Sequence, residues 1–205
     1  MLSLLQEWLE ATYRVQAPDV RDFVVDTAQL TELIGDAVRP AGEWVLVRQE
    51  GEAVDLAVWV APDALARLED AQSPREALDA CFSALCAAVE GVSHFLLLVD
   101  RAKRAEPVRL LEMEAQAEID KYICGVLHQP SRAREWHARI FRDASLQPGL
   151  DAQERERYLE AGRLAAGICR QLQRHPHPAA LLDDLRRFWR MSGDGRMDRM
   201  RRLAA

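Results

Sequence analysis

A chain of 205 residues, 49% hydrophobic and 29% charged, has the composition of an ordinary globular protein, which excludes the disordered and fibrous classes. Its length is enough for one large domain. The net charge of −6 at pH 7 opposes the approach of polyanions and so disfavours nucleic acid as a partner.

The N-terminal segment alternates between helical and extended patterns. Residues 2–13 have the apolar spacing of an amphipathic helix. Residues 20–25 predict a strand, and Thr27–Ile34 predict a short helix that ends at Gly35, where glycine permits a left-handed cap. Residues 1–9 are too short and too polar for a signal peptide.

The clearest β pattern lies in residues 43–60. Two β-rich runs flank Gly51, which permits the positive φ of a tight hairpin turn. A two-residue turn that ends at Gly51 pairs Val47 with Val54 on one buried face and puts Trp59 on the opposite face. Because an isolated hairpin is marginally stable, we expect it to pair with the strand predicted before it and to pack on helices.

From residue 62 onward every segment predicts helix. Residues 74–103 keep apolar spacings of four and three through Gly91, which favours one long helix. The alternative is a strand at residues 92–99. Further helices are predicted from Pro107, after a Ser131 cap and after an Asp151 cap, followed by a short basic tail. The unbroken apolar runs, such as residues 95–99, are far short of a membrane span.

These elements predict an α+β fold that is predominantly α. A small antiparallel sheet with a β-hairpin occupies about residues 20–60, and a helical array follows it. We interpret residues 1–205 as a single domain, within which residues 1–72 could form an α/β subdomain and residues 73–205 a helical part.

The sequence carries no phosphate loop, dinucleotide fingerprint, nucleophile elbow or HExxH motif, so it predicts no cofactor and favours a protein that is not an enzyme. Its cysteines have neither CxxC nor zinc-ligand spacing, and we expect buried, reduced thiols in a cytoplasmic, bacterial protein. The cysteines are Cys81, Cys86, Cys124 and Cys169.

One polar cluster follows from the predicted helices. If they form an antiparallel hairpin that turns near Ala105, residues equally distant from the turn lie side by side. Glu90 and His94 are four residues apart and so share one helix face. The residues brought to that level are Glu90, His94, Glu118, Asp120 and Lys121.

This cluster has a functional and a structural interpretation. Glu90, His94 and Glu118 could bind a divalent cation or act as an acid–base pair. The alternatives, which we favour, are a buried polar network that fixes the helix register or an exposed polar face.

The second candidate site is a basic segment, residues 186–202, in which aromatic side chains lie among arginines. That mixture suits phosphate contact and base stacking, but a solvated face or one that docks internally is the favoured interpretation. The arginines are Arg186, Arg187, Arg190, Arg196, Arg199, Arg201 and Arg202.

The leading hypothesis is a non-catalytic interaction or regulatory module that binds a protein partner, or a second copy of itself, through helical surfaces. The observation behind it is the uneven charge: residues 1–100 carry a net charge of −12, and residues 101–205 carry +6. The alternatives are an enzyme or metal-binding protein that uses Glu90, His94 and Glu118, and a nucleic-acid binder that uses the basic segment. No membrane partner is expected.

Overall fold

A computed structural model describes residues 1–35, 42–51, 53–143, 146, 149–175 and 177–205. Over these residues the chain is mostly helical and contains one two-stranded antiparallel sheet, so the predicted α+β, predominantly α class is confirmed. The elements are α1 (Leu2–Tyr13), α2 (Thr27–Ile34), β1 (Glu43–Glu50), β2 (Ala53–Val60), α3 (Pro62–Glu69), α4 (Pro74–Ala80), α5 (Phe82–Lys103), α6 (Leu110–His128), α7 (Ala133–Phe141), α8 (Ala152–Leu172), α9 (Pro178–Trp189) and α10 (Gly193–Ala204).

The hairpin forms, but its register and its buried residues differ from the prediction. Val47 lies opposite Leu56 and not Val54, because the turn comes later in the chain, with Gly51 at φ 62°. The shift is two residues, so the same side chains still share a face. Hairpin side chains are more exposed the farther they lie from the helices. Val47 and Val54 near the tip are 49% and 38% exposed, whereas Trp59 at the base is buried.

The predicted strand at residues 20–25 is wrong. Val20–Phe23 is a short 3-10 helix, begun by the side chain of Asp19, which accepts a hydrogen bond from the backbone of Arg21. Only Val24 forms a bridge, parallel to Val58 of β2. The local hydrogen bond of the aspartate competes with the extended backbone that a strand requires.

The long helix predicted over residues 74–103 is two helices. Cys81 leaves the helical conformation, with φ −146° and ψ 53°, and separates α4 from α5. The alternative of a strand at residues 92–99 is also wrong, since α5 continues through Gly91 to Lys103. Residues 91–97 are buried on every side of α5, because the hairpin, α1, α3 and α6 all pack against it.

The predicted turn near Ala105 is present. Ala105 has φ 52°, and α5 and α6 run antiparallel on either side of it. The α6 helix begins at Leu110 and not at Pro107, where the sequence predicted its start.

The basic tail is a helix. The Ser192 side chain caps α10 by accepting a hydrogen bond from the backbone of Gly195 at 3.3 Å. The helix packs so closely on α8 that a Cβ atom at Gly167 would lie 2.6 Å from the carbonyl oxygen of Leu203. One hydrophobic core runs from α1 to α10.

By length and composition α5 could cross a membrane, but 78% of its most apolar stretch is buried inside the protein. That is typical of the core helix of a soluble protein. The cytoplasmic location stays a prediction.

The central helix gives a first test of the fold. Leu85 and Leu96 on α5 are each 1% exposed, so we expect Leu85→Ala and Leu96→Ala each to lower the free energy of unfolding by about 3 kcal/mol. Leu110→Ala is the control, since this side chain is 59% exposed. Urea denaturation measures all three, and a loss under about 0.5 kcal/mol at both buried sites would contradict the packing of α5.

Candidate metal centre

Three elements bring acidic side chains to one imidazole. The α5 helix presents Glu90 and His94 on one face, one turn apart. On α6, Glu114 lies opposite His94, and β1 contributes Glu43 at its first residue. Single oxygen or nitrogen atoms of Glu90, His94 and Glu114 all lie within 4.8 Å of one another.

The imidazole lies between two carboxylates. The Nδ1 atom of His94 is 3.5 Å from Oε1 of Glu43, and Nε2 is 3.8 Å from Oε2 of Glu114. These three side chains are 5%, 9% and 8% exposed, respectively. Within the described part of the chain, His94 Nε2, Glu114 Oε2 and Glu43 Oε2 have no hydrogen-bond partner. Buried polar atoms without partners are rare in folded proteins, and coordination of an ion is one way in which such atoms are satisfied.

The charges explain how the cluster is stable without an ion. Burial opposes a charge on His94, but Glu43, Glu114 and Glu90 outweigh burial and raise the pKa of His94 to about 9. Burial raises the pKa of Glu114 to about 7, against the opposing effect of His94. At neutral pH the imidazole is therefore protonated, and its proton supplies the positive charge that the carboxylates require.

A second cation lies next to this group. The Nζ atom of Lys121 is 2.6 Å from Oε1 of Glu118 and 3.2 Å from Oε2 of Glu90. Burial opposes the charge on Lys121, but Glu118 and Glu90 outweigh it and raise the lysine pKa well above its usual value. Glu90 is thus shared between the ammonium group and the imidazole.

Bond lengths show that an ion fits with little movement. Zinc binds imidazole nitrogen and carboxylate oxygen at about 2.0–2.2 Å, so two donors on opposite sides of an ion are at most about 4.4 Å apart. The donors of Glu90, His94 and Glu114 are within 4.8 Å. Three donors spread evenly around one ion are at most about 3.8 Å apart, so contraction of their separations by up to about 1 Å places all three on one ion.

The placement of Asp120 corrects the predicted cluster. Its side chain points away from His94 and accepts hydrogen bonds from Tyr13, from Ser93 at 2.6 Å and from Gln116 at 2.9 Å. Burial raises the pKa of Asp120 to about 6, although these three hydrogen bonds oppose the shift. Asp120 belongs to a second buried network, in which Gln116 also accepts a hydrogen bond from Arg196.

The predicted basic segment does not form one surface. Arg196 is fully buried, with Nη1 3.1 Å from Oε1 of Glu112, and Arg186 donates to the carbonyl oxygen of Thr12 at 2.9 Å. Arg199 binds Asp184 at 2.8 Å. The exposed members are Arg187, Arg190, Arg201 and Arg202. Several of these arginines therefore hold helices together.

Glu43 and Glu114 are the residues that sequence reasoning missed. Glu114 lies one turn before Glu118, so the i, i+4 spacing already places it on the same face of α6. Glu43 has no such signal, because it reaches His94 from a strand more than forty residues earlier in the chain.

The chain matches no protein-family model, no curated protein and no solved structure.

Proposed function

We propose that the protein binds one divalent first-row transition metal ion through Glu90, His94 and Glu114, and that this centre is not catalytic. The observation that carries the proposal is the pair of buried atoms His94 Nε2 and Glu114 Oε2, which face each other at 3.8 Å without hydrogen-bond partners among the described residues. One imidazole with carboxylates suits Mn²⁺, Fe²⁺ or Zn²⁺.

Glu43 has a separate role in this arrangement. Its carboxylate faces Nδ1 of His94, on the opposite side of the ring from Glu114. A histidine that binds metal through one nitrogen usually donates its other N–H to a carboxylate, which fixes the tautomer and the ring orientation. Glu43 is the positioning residue for His94.

The burial of the donors supports a structural or regulatory ion. Catalytic metal sites keep an open coordination position for water or substrate. Here His94 and Glu114 are enclosed by α5, α6 and the hairpin base, and Arg157 of α8 covers Glu114 with Nε 3.6 Å from Oε1. An ion at this position would connect α5 to α6, and it would reach the hairpin base through the contact of His94 with Glu43.

The hypothesis of a regulatory module with a protein partner is compatible with a buried metal ion and stays a prediction. Val47 and Val54 are exposed at the hairpin tip and share one face of the sheet. An ion that fixes the base of the hairpin would fix the orientation of this tip as well.

Calorimetric titration of chelator-treated protein with Mn²⁺ or Zn²⁺ tests the proposal. We expect one ion per chain and an affinity that rises about tenfold per pH unit between pH 7 and 8.5, because the ion must displace the proton of His94. Heat measured in buffers of different ionisation enthalpy reports the released protons directly.

His94→Ala should abolish this binding, and His177→Ala should leave it unchanged, since His177 is exposed at the start of α9. Wild-type protein that releases no protons and binds neither ion, or His94→Ala that binds as well as wild type, would reduce the cluster to a protonated structural network.

A further inference from the structure

Lys121 occupies a position that a cation must fill. Its side chain is 11% exposed, and its ammonium group contacts one carboxylate on each of two helices, Glu90 on α5 and Glu118 on α6. Without Lys121 these two partly buried carboxylates, 18% and 20% exposed, would face each other with no opposite charge between them, which is unfavourable.

Glu90 connects this position to the proposed metal centre. One of its oxygens, Oε2, binds Lys121, while the same carboxylate contributes a donor within 4.8 Å of His94 and Glu114. A glutamate that reaches two neighbouring cations is the usual bridge in two-metal centres of helical bundles, where the ions lie about 3.5–4 Å apart.

We infer that the ammonium group of Lys121 takes the place of the second ion of a carboxylate-bridged two-metal centre and limits the protein to one metal ion. This inference rests on the proposed function. In this inference Lys121 determines how many metal ions the protein binds. It does not determine the affinity for the first ion.

The distances support an exchange of the ammonium group for an ion. Nζ lies 2.6 Å and 3.2 Å from the two carboxylate oxygens, whereas Mn²⁺ or Zn²⁺ would bind them at about 2.0–2.2 Å. The two glutamates need to approach a second ion by about 0.5–1 Å, which side-chain rotation supplies. A divalent ion also restores the positive charge that is lost with the lysine.

Equilibrium dialysis against Mn²⁺, followed by metal analysis and electron paramagnetic resonance, tests the inference. Wild-type protein should retain one ion per chain with the spectrum of an isolated Mn²⁺. Lys121→Gln and Lys121→Met, purified and dialysed in Mn²⁺, should retain two ions with an exchange-coupled spectrum. Lys121→Arg, which keeps the cation, is the matched control and should retain one.

The double variant Glu118→Gln/Lys121→Gln should return to one ion, because the second position then lacks a carboxylate. Two coupled ions in the wild type, or one ion in both Lys121→Gln and Lys121→Met, would overturn the inference while leaving the proposed function intact. Failure of both variants to fold in Mn²⁺ would also overturn it, since the second ion is expected to replace the lysine charge. No ion in the wild type would instead refute the proposed function.

Discussion

Replacing Arg196 by alanine should lower the free energy of unfolding by about 4 kcal/mol, because it leaves a buried carboxylate without one of its two cations. Arg196 is fully buried, with Nη1 3.1 Å from Oε1 of Glu112, and its guanidinium carbon lies 4.8 Å from the centre of the Phe188 ring. Glu112 is also fully buried, and among the described residues the cation left to it is Arg101, whose Nη2 is 3.3 Å from the same oxygen.

Arg202→Ala is the matched control for this measurement. It removes an arginine from the same helix, α10, but the side chain is exposed. We expect a change within about 0.5 kcal/mol for Arg202→Ala. Urea denaturation at pH 7 measures the free energy of unfolding of both variants. A loss under about 1 kcal/mol for Arg196→Ala would contradict the burial of Arg196 between α6 and α9.

The basic segment shows what a one-dimensional count of charges misses. Phe188 and Trp189 look like stacking surfaces beside arginines in the sequence, yet both are 1% exposed in the core. The sequence around Arg196 does not indicate that its partner is Glu112, which lies on α6, 84 residues earlier. Long-range pairing of buried charges has no local sequence signal, and so the direction of these side chains could not be predicted.

Elements whose cause is local were predicted well. The Asp151 capping box and the apolar spacing of α5 through Gly91 correspond to observed features, since each depends on residues within a few positions. The predicted Ser131 cap is wrong, because Ser131 lies within a 3-10 helix and α7 begins after Arg132 without a side-chain cap. Two other wrong predictions, the strand at residues 20–25 and the single helix over residues 74–103, also have causes in nearby residues. Asp19 turned a β-rich segment into a 3-10 helix, and Cys81 divided a continuous apolar repeat.

The candidate site was predicted in part. The antiparallel turn near Ala105 was enough to bring Glu90 to Lys121, because residues equally distant from a turn meet. It was not enough to separate Asp120 from that group, since a rotation of one residue along α6 moves a side chain by about 100° to another face. Ser93 and Asp120 therefore meet on one side of the helix pair and Glu90 and Lys121 on another.

The α5–α6 pair consequently carries two polar networks in one core. The network around Asp120 includes Tyr13 of α1 and, through Gln116, Arg196 of α10, and it connects the two ends of the described chain. The network around His94 reaches the hairpin through Glu43. We therefore expect a change of charge at His94 to act on the hairpin, and a change at Asp120 to act on the terminal helices.

Replacing His94 by leucine in metal-free protein should lower the free energy of unfolding by about 4 kcal/mol at pH 7, because Glu43 and Glu114 then lack their buried cation. The pKa of His94 is raised in the folded protein from 6.5 to about 9, so its contribution is complete below pH 6.5 and is lost as the pH rises through 9. The penalty should also be smaller at pH 5 than at pH 7, because Glu114, whose pKa burial raises to about 7, then takes up a proton and needs no cation beside it; burial raises the pKa of Glu43 in the same direction.

The pH dependence distinguishes this charge effect from a simple loss of packing. Urea denaturation with a chelator at pH 5, 7 and 9.5 should show the largest difference between His94→Leu and wild type at pH 7. His177→Leu, at an exposed position, should stay within about 0.5 kcal/mol of wild type at all three values. A penalty for His94→Leu that is equal at pH 5, 7 and 9.5 would mean that the imidazole carries no charge in the folded protein, and the exchange of its proton for a metal ion would lose its basis.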